Sequence, residues 1–199
     1  MADSEALTLQ RLGERETLAR ILPLLPGSAR LTVGPGDDSA VLELETTELV
    51  TSCDMMIEGP DFRRDWSSPD QIGHKAMTSN LADIAAMGAV PVGVILAVAA
   101  PPETPVQDLV GLARGVAQGL SDMAPDAGVL GGDLSTSSVL TLSVTVLGDM
   151  QGRTPVRRSG ARVGDVVAAS GELGRSQRGY LLLETATSDA GGILPAEAR

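Results

Sequence analysis

Chemically specialised side chains are scarce in this chain of 199 residues. It has one cysteine, Cys53, and one histidine, His74. A disulfide framework needs pairs of cysteines, and zinc centres are built mainly from cysteine and histidine ligands. The composition therefore excludes a disulfide scaffold, a cysteine-ligated zinc site and a zinc-protease type of site.

The common nucleotide-binding and hydrolase motifs are also missing. Lys75 is the only lysine and follows His74, whereas a Walker A loop needs Gly-Lys-Ser/Thr. The segment 34–36, Gly-Pro-Gly, lacks the third glycine of a dinucleotide fingerprint because position 39 is Ser39. No G-x-S-x-G elbow occurs. These absences exclude a P-loop enzyme and argue against a Rossmann or α/β-hydrolase enzyme.

Positive charge and long apolar runs are in short supply as well. Acidic residues outnumber basic ones by 26 to 15, which gives a net charge of −11. A nucleic-acid surface needs clustered positive charge, so this balance argues against one and fits a protein that binds cations. No apolar run reaches membrane-spanning length, and the N-terminus has no apolar signal-peptide core. We expect a cytoplasmic protein without a membrane or nucleic-acid partner.

What is abundant is aliphatic: apolar residues make up 43% of the chain and aromatic ones only 2%. Periodicity predicts helices at 14–25, 71–87 and 104–123, the last with a capping box from Thr104 to Gln107. Lys75, Ser79 and Asp83 are spaced to share one face of the second helix. Strands are predicted at 31–33, 40–44, 49–52, 92–99, near 129–130, at 139–147 and at 166–169.

This order of elements predicts an α+β fold, with helices packed on one face of a mixed sheet. We expect an N-terminal helical segment at 1–30 and a main domain at 31–150. Residues 151–199 are expected to form the incomplete start of a second α/β domain, ending in a loose tail at 187–199.

Aspartates stand at the ends of several predicted elements. They occur in Gly36-Asp37-Asp38 before a strand, in Asp54 after a strand, in Asp83 on a polar helix face, and in Asp133 after two glycines. Each alone is more often a solvated turn or helix face. Together, and without cysteine or histidine partners, they predict an oxygen-ligand site that selects Mg²⁺ or Mn²⁺. Such a cluster needs a cation because closely spaced carboxylates repel one another.

In order along the chain, several segments resemble the N-terminal motifs of thiamine-monophosphate kinase. They are GPGDDSAV (34–41), SCDMMIEG (52–59), KAMTSNLADIAAMGAVP (75–91), GGDL (131–134), PVRRSGARVGD (155–165) and GELGRSQRGY (171–180). The wider superfamily includes aminoimidazole ribonucleotide synthetase, selenophosphate synthetase and a hydrogenase-maturation protein. The resemblance covers most of residues 30–184.

The resemblance implies ATP-dependent phosphorylation of thiamine monophosphate to thiamine diphosphate by a homodimer. Phosphoryl transfer of this kind is direct and assisted by several Mg²⁺ ions. The metal ligands implied by motif match are Asp38, Ser52, Cys53, Asp54, Asp83 and Asp133. Gly132, Asp133 and Arg158 are implied to contact ATP, and Asp61 stands at the position that meets the substrate.

The chain departs from the family pattern at three points. The family continues for another domain of similar size, Asp61 replaces a usual histidine, and Cys53 replaces a usual threonine. A thiol is a poor Mg²⁺ ligand, although the main-chain carbonyl of Cys53 could serve. Two alternatives therefore stay open: a non-catalytic module that dimerises or binds Mg-nucleotide, and a sister activity with another phosphoryl acceptor.

Overall fold

The computed structural model describes residues 7–34, 39–45 and 47–188, with side chains described as far as residue 185. The chain divides into two compact units, Met1–Arg157 and Arg158–Arg199. The first unit ends a few residues beyond the predicted boundary at residue 150 and includes the N-terminal helical segment. None of the helices in the described part of the chain combines the length and the apolar character needed to span a bilayer.

A four-stranded mixed sheet forms the centre of the first unit. Its strands lie in the order β3-β6-β4-β5, with β4 and β5 parallel and the other two pairs antiparallel. A small separate hairpin pairs β1 with β2. The strands are β1 Leu31–Val33, β2 Val41–Leu42, β3 Leu49–Ile57, β4 Val90–Ala100, β5 Gly128–Thr136 and β6 Thr141–Asp149.

Helices cover one face of this sheet. They are α1 Leu9–Leu12, α2 Glu14–Ile21 with a 3-10 turn Leu22–Leu24, α3 Pro69–Ala86 and α4 Val106–Met123. Strand β6 shows why: Leu142, Val144 and Val146 alternate along it and are buried in the core with side chains of α3 and α4. On the other face, Met55 and Ile95 are exposed. The predicted α+β class with a mixed sheet and helices on one face is confirmed.

Glycines set the distance between α3 and α4. A Cβ atom added at Gly115 would lie 1.9 Å from the main-chain oxygen of Asp70, and one at Gly73 would lie 2.2 Å from that of Leu112. These separations are far below van der Waals contact, so the two helix backbones touch only because both positions lack a side chain. This contact between the two helix backbones at Gly73 and Gly115, the α3–α4 seam, fixes the position of α3. It thereby fixes the position of every residue on the outer face of that helix.

The start of α4 differs from the prediction. The helix begins at Val106 with Pro105 as its N-cap, and Thr104 makes no side-chain cap. The reason is a contact distant in sequence, because the main-chain N–H of Val106 donates to Leu7 O at 2.8 Å. The capping box occurs instead on α3, where Ser68 and Gln71 bond reciprocally. Pro69 then occupies the first turn, two residues before the predicted start.

The second unit contains a 3-10 turn, Arg158–Gly160, and helix α5, Arg175–Ser188, which the sequence analysis did not predict. The predicted strand at 166–169 is wrong, since these residues are irregular. Val166 and Val167 are almost fully exposed. A strand forms only by pairing, and no other strand is found among the described residues of this unit. Most of the predicted loose tail, 189–199, lies outside the described residues.

A buried carboxylate joins the small hairpin to the main sheet. Asp149, at the end of β6, is fully buried and accepts a hydrogen bond from Arg30 Nη1 at 2.8 Å. It also accepts from the main-chain N–H groups of Glu45 and Gln151. A buried charge is tolerated only when it is paired and hydrogen-bonded. These contacts anchor the chain just before β1 and just after β2 to the end of β6.

Replacing Gly115 by alanine tests the helix seam. We expect Gly115→Ala to lower the free energy of unfolding by about 1–3 kcal/mol or more, because the added methyl group collides with the backbone of α3. The matched control is Gly179→Ala in α5, where an added Cβ meets nothing within 4 Å. Urea denaturation measures both. A Gly115→Ala variant as stable as the parent would contradict the close approach of α3 and α4.

Candidate functional site

One polar group of residues lies where the edge strand β3 meets helix α3. The hydroxyl of Ser52 donates a hydrogen bond to Asp83 Oδ2 at 3.0 Å. Lys75, Ser79 and Asp83 are all exposed on α3, whereas Met77 and Leu81 on the opposite side are buried. The shared face predicted for the first three residues is therefore confirmed.

Strand alternation places Asp54 beside this pair. Ser52, Asp54 and Met56 share one face of β3, and Met56 is buried in the helix-covered core. Asp54 is exposed and lies about 7 Å along the strand from Ser52, as two residues of a strand require. Within the described residues, neither Asp54 nor Asp83 forms an ion pair with a basic side chain. Two carboxylates and a hydroxyl thus face solvent together.

Cys53 points to the other face of the sheet. Its sulfur accepts a hydrogen bond from Thr145 Oγ1 at 3.3 Å and lies 3.9 Å from Ser143 Oγ. The thiol is therefore on the side of β3 away from Asp83. A role for Cys53 as a metal ligand stays a prediction, and in this geometry it would fall to the main-chain carbonyl.

Gly132 and Asp133 lie at the opposite edge of the sheet, on β5. Three strand spacings separate β5 from β3, which amounts to about 14 Å along the sheet. In the described ranges, which omit Asp37 and Asp38, no three acidic, histidine or cysteine side chains are arranged to hold a metal. One copy of the chain therefore brings Ser52, Asp54 and Asp83 together but leaves Asp133 at a distance.

An apolar cavity of about 290 Å³ adjoins Gly132 and Asp133. Its walls come from α2 and the 3-10 turn after it, from α4, and from β4 and β5, with Leu18, Leu22, Val98 and Ala113 among them. Glycine is needed at position 132 because a Cβ there would lie 1.9 Å from Leu96 O. No local sequence pattern predicts the cavity, since its walls come from elements far apart in the chain.

The loop after β3 is held by its own polar side chains. The carboxylate of Asp61 accepts a hydrogen bond from the main-chain N–H of Ile57 at 2.7 Å, and the Asp61 N–H donates to Ile57 O at 3.0 Å. The main-chain oxygen of Asp61 accepts from Lys75 Nζ at 2.6 Å. The carboxylate of Asp61 is thus turned into the loop, and Lys75 is a neighbour that the motif analysis did not assign to the site.

Ion pairs brace the rest of this loop. Arg64 Nε lies 2.7 Å from Glu58 Oε1, and Arg63 Nε donates to Asp65 Oδ1 at 2.9 Å. The hydrogen bond from Arg63 holds the pKa of Asp65 below its usual value. Arg63 also stacks on Trp66, with 4.3 Å from the guanidinium carbon to the ring centroid.

Two predicted site residues are not among the described residues of the first unit. Arg158 is exposed in the 3-10 turn that opens the second unit. Asp38 lies outside the described residues. Both assignments stay predictions.

The donor set fits magnesium. The hydroxyl of Ser52 and the carboxylates of Asp54 and Asp83 are hard oxygen donors, and Mg²⁺ prefers such ligands. The absence of histidine and of an inward-pointing thiol from this face disfavours zinc or copper. These three side chains are the residues of the described chain that could hold Mg²⁺ at the β3 edge.

Comparison with known proteins places the chain in a family. A family profile described as AIR synthase related protein, N-terminal domain, matches residues 36–150, which is more than half of the chain. The chain belongs to the AIR synthase related family. The match spans β2 through β6. It therefore contains Ser52, Asp54 and Asp83, which together form the β3–α3 group.

Relatives of this AIR synthase related chain include thiamine-monophosphate kinases. The one from Mycobacterium tuberculosis is 41% identical over 179 residues, which cover 90% of this chain and 53% of that protein. The crystal structure of the enzyme from Stenotrophomonas maltophilia K279a superposes with a TM-score of 0.72 at 29% identity, covering 86% of this chain and 52% of that one. AaThiL complexed with AMPPCP and TMP superposes with a TM-score of 0.66 at 29% identity, covering 98% of this chain and 59% of that one. The chain spans about half the length of the curated relatives it matches.

Asp83→Asn tests the β3–α3 group. The amide keeps a hydrogen-bond acceptor for Ser52 but removes the charge, so we expect magnesium-dependent nucleotide binding to weaken by more than about tenfold with the fold intact. Calorimetry measures affinity, and circular dichroism checks the fold. The control Asp122→Asn removes one exposed carboxylate on α4 and should leave binding unchanged. Equal affinities for Asp83→Asn and the parent would place the metal elsewhere.

Proposed function

We propose that this chain provides the Mg-nucleotide-binding part of an enzyme that phosphorylates thiamine monophosphate to thiamine diphosphate. The observation that carries the proposal is the exposed Ser52–Asp83 pair with Asp54 beside it, in a chain whose relatives are named for this reaction. The complex of AaThiL with AMPPCP and TMP supports ATP as phosphoryl donor and thiamine monophosphate as acceptor.

The reaction requires no nucleophilic side chain. An oxygen of the acceptor's phosphate bonds to the γ-phosphorus of ATP while the bond from that phosphorus to the β–γ bridging oxygen breaks, giving thiamine diphosphate and ADP. When bound, Mg²⁺ would offset the repulsion between the triphosphate of ATP and the phosphate of the acceptor. Ser52, Asp54 and Asp83 would hold the metal, with Asp38 and Asp133 as further proposed ligands. The seam between α3 and α4 holds Asp83 in place, so positioning is the main contribution of the chain.

We place the base of ATP in the apolar cavity beside Gly132 and Asp133. A volume of about 290 Å³ lined by leucine and valine side chains suits a flat aromatic ring. Asp133 stands at the cavity wall, where it can approach the phosphate end of the nucleotide. The proposed contact of Arg158 with the nucleotide rests on the motif resemblance alone.

A homodimer would account for the separation of the two sheet edges. The uncovered face of the sheet exposes Met55 and Ile95, and such side chains favour association. With one copy alone, β3 and β5 lie about 14 Å apart, so Asp54 and Asp133 cannot share an ion. We propose that a second copy packs on this face, which would bring further carboxylates toward each edge.

The alternative is a module that binds Mg-nucleotide without turnover. The observation that favours it is the strong exposure of Val163, Val166 and Leu173 in the second unit. Apolar side chains exposed in this way form no acceptor pocket among the described residues of that unit.

Calorimetry and product analysis on the 199-residue chain test the proposal. We expect ATP to bind only with Mg²⁺, and more tightly than inorganic tripolyphosphate because the base adds apolar contacts. Incubation with ATP, Mg²⁺ and thiamine monophosphate should yield thiamine diphosphate. Binding without product would favour the non-catalytic module. Equal binding with and without Mg²⁺, or no binding, would contradict both readings.

A further inference from the structure

Lys75 stands out as a cation beside an acidic site. It is the only lysine in a chain with 26 acidic residues, and its side chain is exposed on the outer face of α3. Its ammonium donates to the main-chain oxygen of Asp61 at 2.6 Å, and in the described part of the chain it forms no ion pair with a carboxylate. An ammonium has three N–H donors, so this contact leaves hydrogen-bonding capacity for an anion.

The loop keeps the carboxylate of Asp61 out of ion-pair contact with this ammonium. The carboxylate of Asp61 is occupied by the N–H of Ile57, and only the neutral carbonyl of Asp61 reaches Lys75. Had the carboxylate pointed outward, it would have neutralised Lys75 and repelled a phosphate. The orientation observed leaves the positive charge of Lys75 available.

Lys75 and Asp83 define the two ends of one helix face. They are eight residues apart, which corresponds to about 12 Å along α3. The hydroxyl of Ser79 lies between them on the same face. A phosphate over Ser79 would therefore have an ammonium on one side and the carboxylates that suit magnesium on the other.

We propose that Lys75 binds the phosphate of the phosphoryl acceptor and thereby selects a phosphate monoester over the corresponding free alcohol. The proposal rests on the proposed function, since it assigns a specificity-determining residue within the same site. Hydrogen bonds from a charged donor contribute about 1.5–3 kcal/mol. One such contact therefore makes the affinity for the phosphate monoester about tenfold to a hundredfold higher than that for the free alcohol. In this arrangement Asp61 acts as a positioning residue, through its main-chain oxygen.

A purely structural role would give a different result. If Lys75 only fastens the loop after β3 to α3, its loss should loosen the loop and lower the melting temperature without changing the preference between acceptors. Since the side chain is exposed, the fold should tolerate its replacement.

The single lysine makes a direct labelling experiment possible. The chain is acetylated with acetic anhydride in Mg²⁺, and modification at Lys75 is followed by peptide mass spectrometry, with the N-terminal amine as internal reference. At about ten times the Kd, thiamine monophosphate should slow acetylation of Lys75 about tenfold, because bound phosphate shields the amine. Thiamine should not slow it. The proposal would be overturned if Lys75 were acetylated as fast with thiamine monophosphate as with thiamine. It would also be overturned if thiamine monophosphate left the rate the same as with no compound added.

Variants provide the second arm. Lys75→Met should lower the affinity for thiamine monophosphate about tenfold to a hundredfold while leaving Mg-ATP affinity and the melting temperature unchanged. Lys75→Arg should restore much of the lost affinity. Unchanged acceptor affinity in Lys75→Met, with Mg-ATP binding intact, would reject Lys75 and leave the proposed function standing. Failure of the parent chain to bind Mg-ATP would instead reject the proposed function. The labelling experiment contains no ATP, so it would still show whether Lys75 binds the phosphate of thiamine monophosphate.

Discussion

The contact between Ser52 and Asp83 links the edge strand β3 to helix α3, and the candidate site depends on it. Oxygen ligands hold a small cation only when their spacing is fixed before it arrives. A strand edge and a helix face supply that rigidity, provided the helix cannot shift. The glycines between α3 and α4 prevent such a shift, because the helix backbones are already in contact. Packing in the helical layer therefore fixes the geometry of the candidate site at the sheet edge.

The same sheet also divides the proposed machinery. Its strand order places Ser52, Asp54 and Asp83 at one edge and Gly132 with Asp133 at the other. The β3 edge offers charged oxygen atoms, whereas the β5 edge adjoins an apolar cavity. This separation matches the two parts of a nucleotide, whose phosphates need cations and whose base needs apolar contact. It also explains why a single copy does not gather all the predicted carboxylates around one point.

Sequence reasoning succeeded where the signal is local. The 3.6-residue period of α3 identified the exposed face of Lys75, Ser79 and Asp83, and motif order identified the family. It failed where a distant partner decides. The start of α4 depends on Leu7, and the order of strands cannot be read from any one strand. The orientation of Asp61 depends on the main-chain N–H of Ile57, so residue type alone could not show that the carboxylate turns into the loop.

The central claim is that the β3 edge, and not another acidic surface, holds a divalent cation with a nucleotide. Substoichiometric Mn²⁺ with ATP, added to the ¹⁵N-labelled 20.4 kDa chain, tests it most directly, because paramagnetic broadening identifies the amides nearest the ion. The account predicts that the signals of Ser52, Asp54 and Asp83 broaden first. Sharp signals for these residues, with broadening centred on a different part of the surface, would contradict it.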